Sequence, residues 1–194
     1  ARLKDTLMKA KEQKKVFLFL LAFFFYIDGV YTIIDMATAY GTSLGLNTTG
    51  LLLALLLTQI VAFPASLTFA VLSKTKNTAS LIKVAIIAYF LIALFAVQLD
   101  KQWEFWVLAV AVGCFQGGIQ ALSRSYFAKI IPENASGEYF GLFDICGKGA
   151  SFLGTMLIGV VTQITGKQNL GVAALSIMFV VGYFIFNKVS KMDD

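Results

Sequence analysis

The chain has 194 residues, 58% of them hydrophobic and 14% charged, with a formal net charge of +5. Soluble domains are nearer half apolar and about a quarter charged, so an ordinary globular protein is excluded, and eighteen Phe with two Pro exclude a disordered chain. The absence of His removes the commonest general base and the usual transition-metal ligand.

No P-loop, G-x-S-x-G, H-E-x-x-H or Cys/His cluster occurs, so the sequence offers no enzyme chemistry, no metal site and no cofactor site. Cys114 and Cys146 lie in apolar runs and read as small buried thiols. The basic residues sit at segment ends rather than on a solvated patch, which excludes nucleic acid as a partner.

A helix needs roughly 20 apolar residues to cross the hydrocarbon of a bilayer. Six segments qualify, at residues 16–40, 49–72, 79–98, 103–131, 138–165 and 170–186. Strict apolar/polar alternation is absent, and backbone groups in lipid must be satisfied internally, so the fold class is all-α integral membrane with six transmembrane helices. Three regions follow: a basic lead at 1–15, a six-helix transmembrane domain at 16–187 and a tail at 188–194.

The first segment follows the basic lead Arg2, Lys4, Lys9, Lys11, Lys14 and Lys15 and contains the triplet Ala37-Thr38-Ala39. A secretory signal has an apolar core of about 7–15 residues, too short for this run, and would not carry Asp28, so the segment reads as a permanent span. Asp28 falls about 18 Å into it, near the bilayer midplane. Tyr31 and Asp35 follow at i+3 and i+7 on the same face. Ionisable groups in a membrane mark functional paths by default, so Asp28, Tyr31 and Asp35 are expected to line a wet cavity, with Asp28 binding a proton or cation. Pro64 is expected to kink the second segment.

In the fourth segment Gln116, Gln120 and Arg124 form a polar stripe at i, i+4 and i+8, and Gly113 and Gly117 form a G-x-x-x-G packing face. The glutamines suit either interhelical hydrogen bonding or solute contact. Arg124 suits a gating or structural ion pair with Glu138 or Asp144. In the fifth segment Asp144 and Lys148 stand at i and i+4, where they can neutralise each other. Lys148 lies deeper than snorkelling excuses, among the small residues Gly147, Gly149, Ser151 and Gly154.

Orientation follows from Lys and Arg. The six of the lead, Lys74, Lys76, Lys83, Arg124, Lys129, Lys188 and Lys191 make thirteen on one side, against Lys101 and Lys167 on the other. Both termini are therefore expected in the cytoplasm, with Trp103, Trp106 and Tyr40 as an aromatic belt at the outer boundary.

Six spans with a polar-dotted fourth and fifth resemble one half of a major facilitator superfamily transporter. More narrowly, Gly117-Gly118-x-Gln120-Ala121-x-Ser123-Arg124-Ser125, Ile131-Pro132, Glu138-x-Phe140-Gly141 and Gly147-Lys148 resemble the vacuole effluxer (autophagy protein 22-like) branch. The superfamily's basic loop motif is degenerate here, at Ser73-Lys74-Thr75-Lys76.

The resemblance implies the C-terminal six helices of a twelve-helix secondary transporter, built from two inverted three-helix repeats and exporting amino acids or similar small solutes. The lead would then end the central cytoplasmic loop, and the missing initiator Met fits such a piece. Its partners would be the N-terminal six-helix half, the lipid bilayer and a small-molecule solute, in a bacterial plasma membrane. The competing expectation is an autonomous six-span protein acting as a homodimeric transporter or channel, or as a non-transporting scaffold, with Gly113 and Gly117 supplying a self-association face.

Overall fold

A computed structural model describes residues 13–192 together with Met8 and Lys11. Arg2, Lys4 and Lys9 of the basic lead lie outside the described residues. The helices are α1 (Lys14–Ser43), α2 (Thr48–Thr75), α3 (Thr78–Val97), α4 (Gln102–Ile130), α5 (Ser136–Lys148), α6 (Phe152–Thr165) and α7 (Gln168–Ser190), with a 3-10 turn at Glu133–Ala135. Among the described residues there is no strand, and six stretches are long and apolar enough to cross a membrane. Each expected segment is found within a few residues.

Local chemistry marks the ends. Asn47 accepts from the Gly50 amide at 3.0 Å and Asn77 from the Ala79 amide at 2.8 Å, starting α2 and α3. The Glu104 carboxylate takes the Asp100 and Lys101 amides at 3.0 and 3.2 Å, starting α4. Such side chains satisfy the first-turn donors that a helix cannot satisfy itself. The chain runs helically through Pro64, where the Thr68 hydroxyl donates to the Pro64 carbonyl at 3.0 Å.

The fifth span departs from expectation. It is two helices, broken at Gly149-Ala150-Ser151, with Ser151 in the left-handed region at φ 75°. Three glycines within eight residues weaken the helix here, and a non-glycine left-handed residue costs roughly 1–2 kcal/mol.

α1 is the hub: 61% of its most apolar stretch is buried, against 17% for α2 and 11% for the α5–α6 span. It packs most extensively on α7, through Phe19 against Phe186 and Tyr26 against Gly182. α2 lies along α4 in the same direction, with Thr58 donating to the Ala109 carbonyl at 3.2 Å and Asn47 N–H to Gln102 Oε1 at 3.0 Å. α3 fills the space between α4 and α7, where Tyr89 stacks on Phe179. The first and last described helices thus reach the same end of the bundle.

Gly113 is what allows the α2–α4 approach. A Cβ there would stand 2.7 Å from the Thr58 carbonyl oxygen and 3.0 Å from Val61 Cβ, and one at Gly117 would stand 2.9 Å from Ser66 Cβ. The glycine face is therefore filled by α2 of the same chain and is not a free self-association surface. Tyr40, in the last turn of α1, is turned into the bundle and buried, its hydroxyl donating to the Ala96 carbonyl at 2.9 Å, while Trp103 is exposed. Cys114 and Cys146 are free, half-buried thiols.

Candidate functional site

Two features meet at mid-depth of the bundle, a buried carboxylate and an open charged cleft. Asp28 is wholly buried. Its Oδ1 accepts from the Gly154 amide at 2.7 Å and from the Thr32 hydroxyl at 3.3 Å, and its Oδ2 accepts from the Leu153 amide at 3.1 Å. These amides open α6, whose own leading residue Ser151 makes no side-chain cap. The carboxylate of α1 thus caps a helix on the far side of the break, placing a negative charge at the positive end of the helix dipole.

That arrangement corrects the expected wet cavity around Asp28. The group needs no cation, because a mid-membrane helix N-terminus supplies both donors and positive potential. Gly154 makes the approach feasible, since a Cβ there would run into the Thr32 hydroxyl and stand 2.8 Å from Asp28 Oδ1. An intramembrane carboxylate on one span and a glycine-interrupted span elsewhere was the signal available in the sequence. Pairing the two across 126 positions required the fold.

The cleft, about 420 Å³, opens between α1, α4 and α5 and is lined by Tyr31, Gln120, Arg124, Asp144 and Lys148 together with the rings of Phe23 and Phe143. Residues of three spans converge there, and of the α4 stripe Gln120 and Arg124 line it while Gln116 does not. Arg124 reaches Asp144 at 3.2 Å and lies over the rings of Phe140 and Phe143 at 4.8 and 5.9 Å. Asp144 is therefore turned to another helix rather than to Lys148 within its own, which corrects the intrahelical pairing; the α4 guanidinium is within its reach and adds a cation–π contact.

Lys148 closes α5, where its charge suits the negative end of that helix. The break in the fifth span thus has an ammonium at the end of one half-helix and a carboxylate at the start of the next.

The other expected residues are distributed elsewhere. Asp35 is exposed and outside the cleft, so the face shared by Asp28, Tyr31 and Asp35 divides into a buried cap, a cleft wall and a surface carboxylate. Gln116 faces a separate space of about 40 Å³ with Gln59 and Thr58, and its Oε1 has no partner among the described residues. Glu138 lies in the first turn of α5, and the ion pair of Arg124 goes to Asp144. Residues not anticipated are Thr32, Phe140 and Phe143, together with Tyr26 and Ser123, whose hydroxyls meet at 2.7 Å where α1 crosses α4.

Six apolar spans enclosing intramembrane charge define a multi-pass membrane protein. The family model for vacuole effluxer Atg22-like proteins matches residues 1–192, and the chain belongs to that family. It is 45% identical over 184 residues to the uncharacterized MFS-type transporter YxiO of Bacillus subtilis, covering 95% of this chain and 43% of that protein. It is 29% identical to autophagy-related protein 22 of Vanderwaltozyma polyspora (94% of this chain, 38% of the relative) and 25% identical to autophagy-related protein 22-1 of Aspergillus niger (91% and 31%). The chain therefore spans less than half the length of these relatives.

Proposed function

We propose that this chain forms the C-terminal half of a secondary active transporter that moves small solutes, amino acids among them, by alternating access, and that the cleft on α1, α4 and α5 is its share of the solute path. The observation that carries this reading is the exposure of Lys148 about midway along the fifth span, in one cleft with Arg124 and Asp144. Charges at that depth are too costly to face hydrocarbon, so that side of the bundle must meet water and a second protein wall. An N-terminal six-helix half supplies that wall.

The packing supports two inverted three-helix repeats. Exchanging the first three spans with the last three turns the α2–α4 contact into that of α1 with the α5–α6 span, and the α1–α7 contact into that of α3 with α4; all four contacts are present. The two least buried spans, the second and fifth, also exchange, as two edges meeting a second half would. The Lys- and Arg-rich end, where Lys129 Nζ stands 3.4 Å from Thr78 Oγ1, is the cytoplasmic end by charge distribution. A bacterial plasma membrane suits the likeness to YxiO.

The test uses the full-length transporter with Cys114 and Cys146 replaced, carrying a single cysteine at Gln120 or, as a lipid-facing control on α3, at the exposed Leu91. A membrane-impermeant thiol reagent should modify Gln120→Cys and spare Leu91→Cys, and proteoliposomes should exchange radiolabelled amino acids. An unreactive Gln120→Cys together with absent exchange would overturn the reading.

A further inference from the structure

The cleft has a charge imbalance that the Arg124–Asp144 pair does not remove. Arg124 and Lys148 contribute two cations and Asp144 one carboxylate, leaving one positive charge in about 420 Å³. Among the described residues Lys148 makes no hydrogen bond or ion pair. The two acidic groups nearest in sequence on α1 are not available to it: Asp28 is buried and committed to the α6 amides, and Asp35 lies outside the cleft lining. The same cleft is lined by Tyr31 and Gln120, neutral groups that both donate and accept.

We propose that Lys148 is the receptor for a carboxylate group of the solute, with Gln120 and Tyr31 holding the polar remainder, so that the site selects carboxylate-bearing small molecules over their uncharged amides. This rests on the transporter reading above. The C-terminus of α5 gives Lys148 only partial compensation, equivalent to roughly half a charge at most. A carboxylate supplies a full charge and accepts charge-assisted hydrogen bonds from an ammonium. The volume lies within the roughly 300–1,000 Å³ typical of small-molecule sites. Lys148 closes α5 directly before the helix break, and Arg124 in the same cleft is already neutralised by Asp144, so a single anionic group is directed to Lys148.

The experiment measures thermal stabilisation of the full-length transporter in detergent by three matched pairs: propionate and propionamide, alanine and alaninamide, succinate and succinamide. The carboxylates should raise the unfolding midpoint and the amides should not. Lys148→Gln should weaken that response by about 10- to 100-fold in solute concentration, the loss expected for a hydrogen bond to a charged group, and Lys148→Arg should retain most of it.

Equal stabilisation by amides, no stabilisation by any carboxylate, or an unchanged response in Lys148→Gln each overturns the assignment; the amide comparison needs no variant to fold. Counterflow of the same solutes in proteoliposomes separates the two readings. Flux without carboxylate preference retains the transporter and removes this role for Lys148. Carboxylate-selective stabilisation without any flux retains the role and removes the transporter.

Discussion

Asp28 of α1 accepts a 2.7 Å hydrogen bond from the Gly154 amide of α6, which makes a carboxylate in the first span the cap of a half-helix in the fifth. Asp28→Asn retains the volume but replaces one acceptor oxygen with an NH2 group. Either the Leu153 or the Gly154 amide then faces a donor, and the dipole loses its counter-charge. The unfolding midpoint of the full-length protein in detergent should fall by an amount equivalent to about 1–3 kcal/mol, with faster hydrogen exchange at the Leu153 and Gly154 amides. An unaltered midpoint with unaltered exchange would remove the cap from the account.

Gly154 and Gly159 lie on the same helix and should respond in opposite directions to Ala. A Cβ at Gly154 would stand 2.8 Å from Asp28 Oδ1, whereas one at Gly159 meets nothing within 4 Å. Gly154→Ala should therefore destabilise by about 1–3 kcal/mol through overpacking. Gly159→Ala should be neutral or stabilise by up to about 1 kcal/mol, the helix-propensity difference. Thermal unfolding of both variants checks this, and equal effects would count against the close α1–α6 approach.

The Tyr26–Ser123 contact makes an asymmetric prediction. Ser123 has one hydroxyl hydrogen and gives it to the Ile119 carbonyl at 2.6 Å, so Tyr26 is the donor in the 2.7 Å bond between the two hydroxyls. Tyr26→Phe leaves no orphan donor and should cost about 1 kcal/mol. Ser123→Ala strands a buried tyrosine hydroxyl and should cost more, about 1–3 kcal/mol. Chemical unfolding of the two single variants decides it; the reverse order would mean the proton runs the other way.

The Arg124–Asp144 pair should matter little to stability. Its side chains are 56% and 48% exposed, and exposed ion pairs contribute about 0–1 kcal/mol. A double-mutant cycle with Arg124→Gln and Asp144→Asn should give a coupling energy in that range. Solute exchange in proteoliposomes should nevertheless drop in both single variants, because Arg124→Gln frees the Asp144 carboxylate to compete for Lys148 and Asp144→Asn leaves two uncompensated cations in the cleft. A coupling energy above about 3 kcal/mol would instead indicate a buried structural pair.

The sequence by itself determined the number and limits of the spans, because the bilayer imposes one helix length and one hydrogen-bonding solution on any apolar run. It also determined that the glycines of the fourth span pack a helix closely and that charged residues are set into the apolar fourth and fifth spans. Local spacing reaches one helix face and no further.

Only the tertiary structure decided the partners. It gave Gly113 to α2, Asp144 to Arg124 rather than to Lys148, and Asp28 to the amides of α6. It also broke the fifth span, at a point where three glycines lower helix propensity and a carboxylate from another span satisfies the exposed amides. Each of these choices depends on contacts between distant segments, where a hydrogen bond or a close approach outweighs the modest preference of an i, i+4 neighbour.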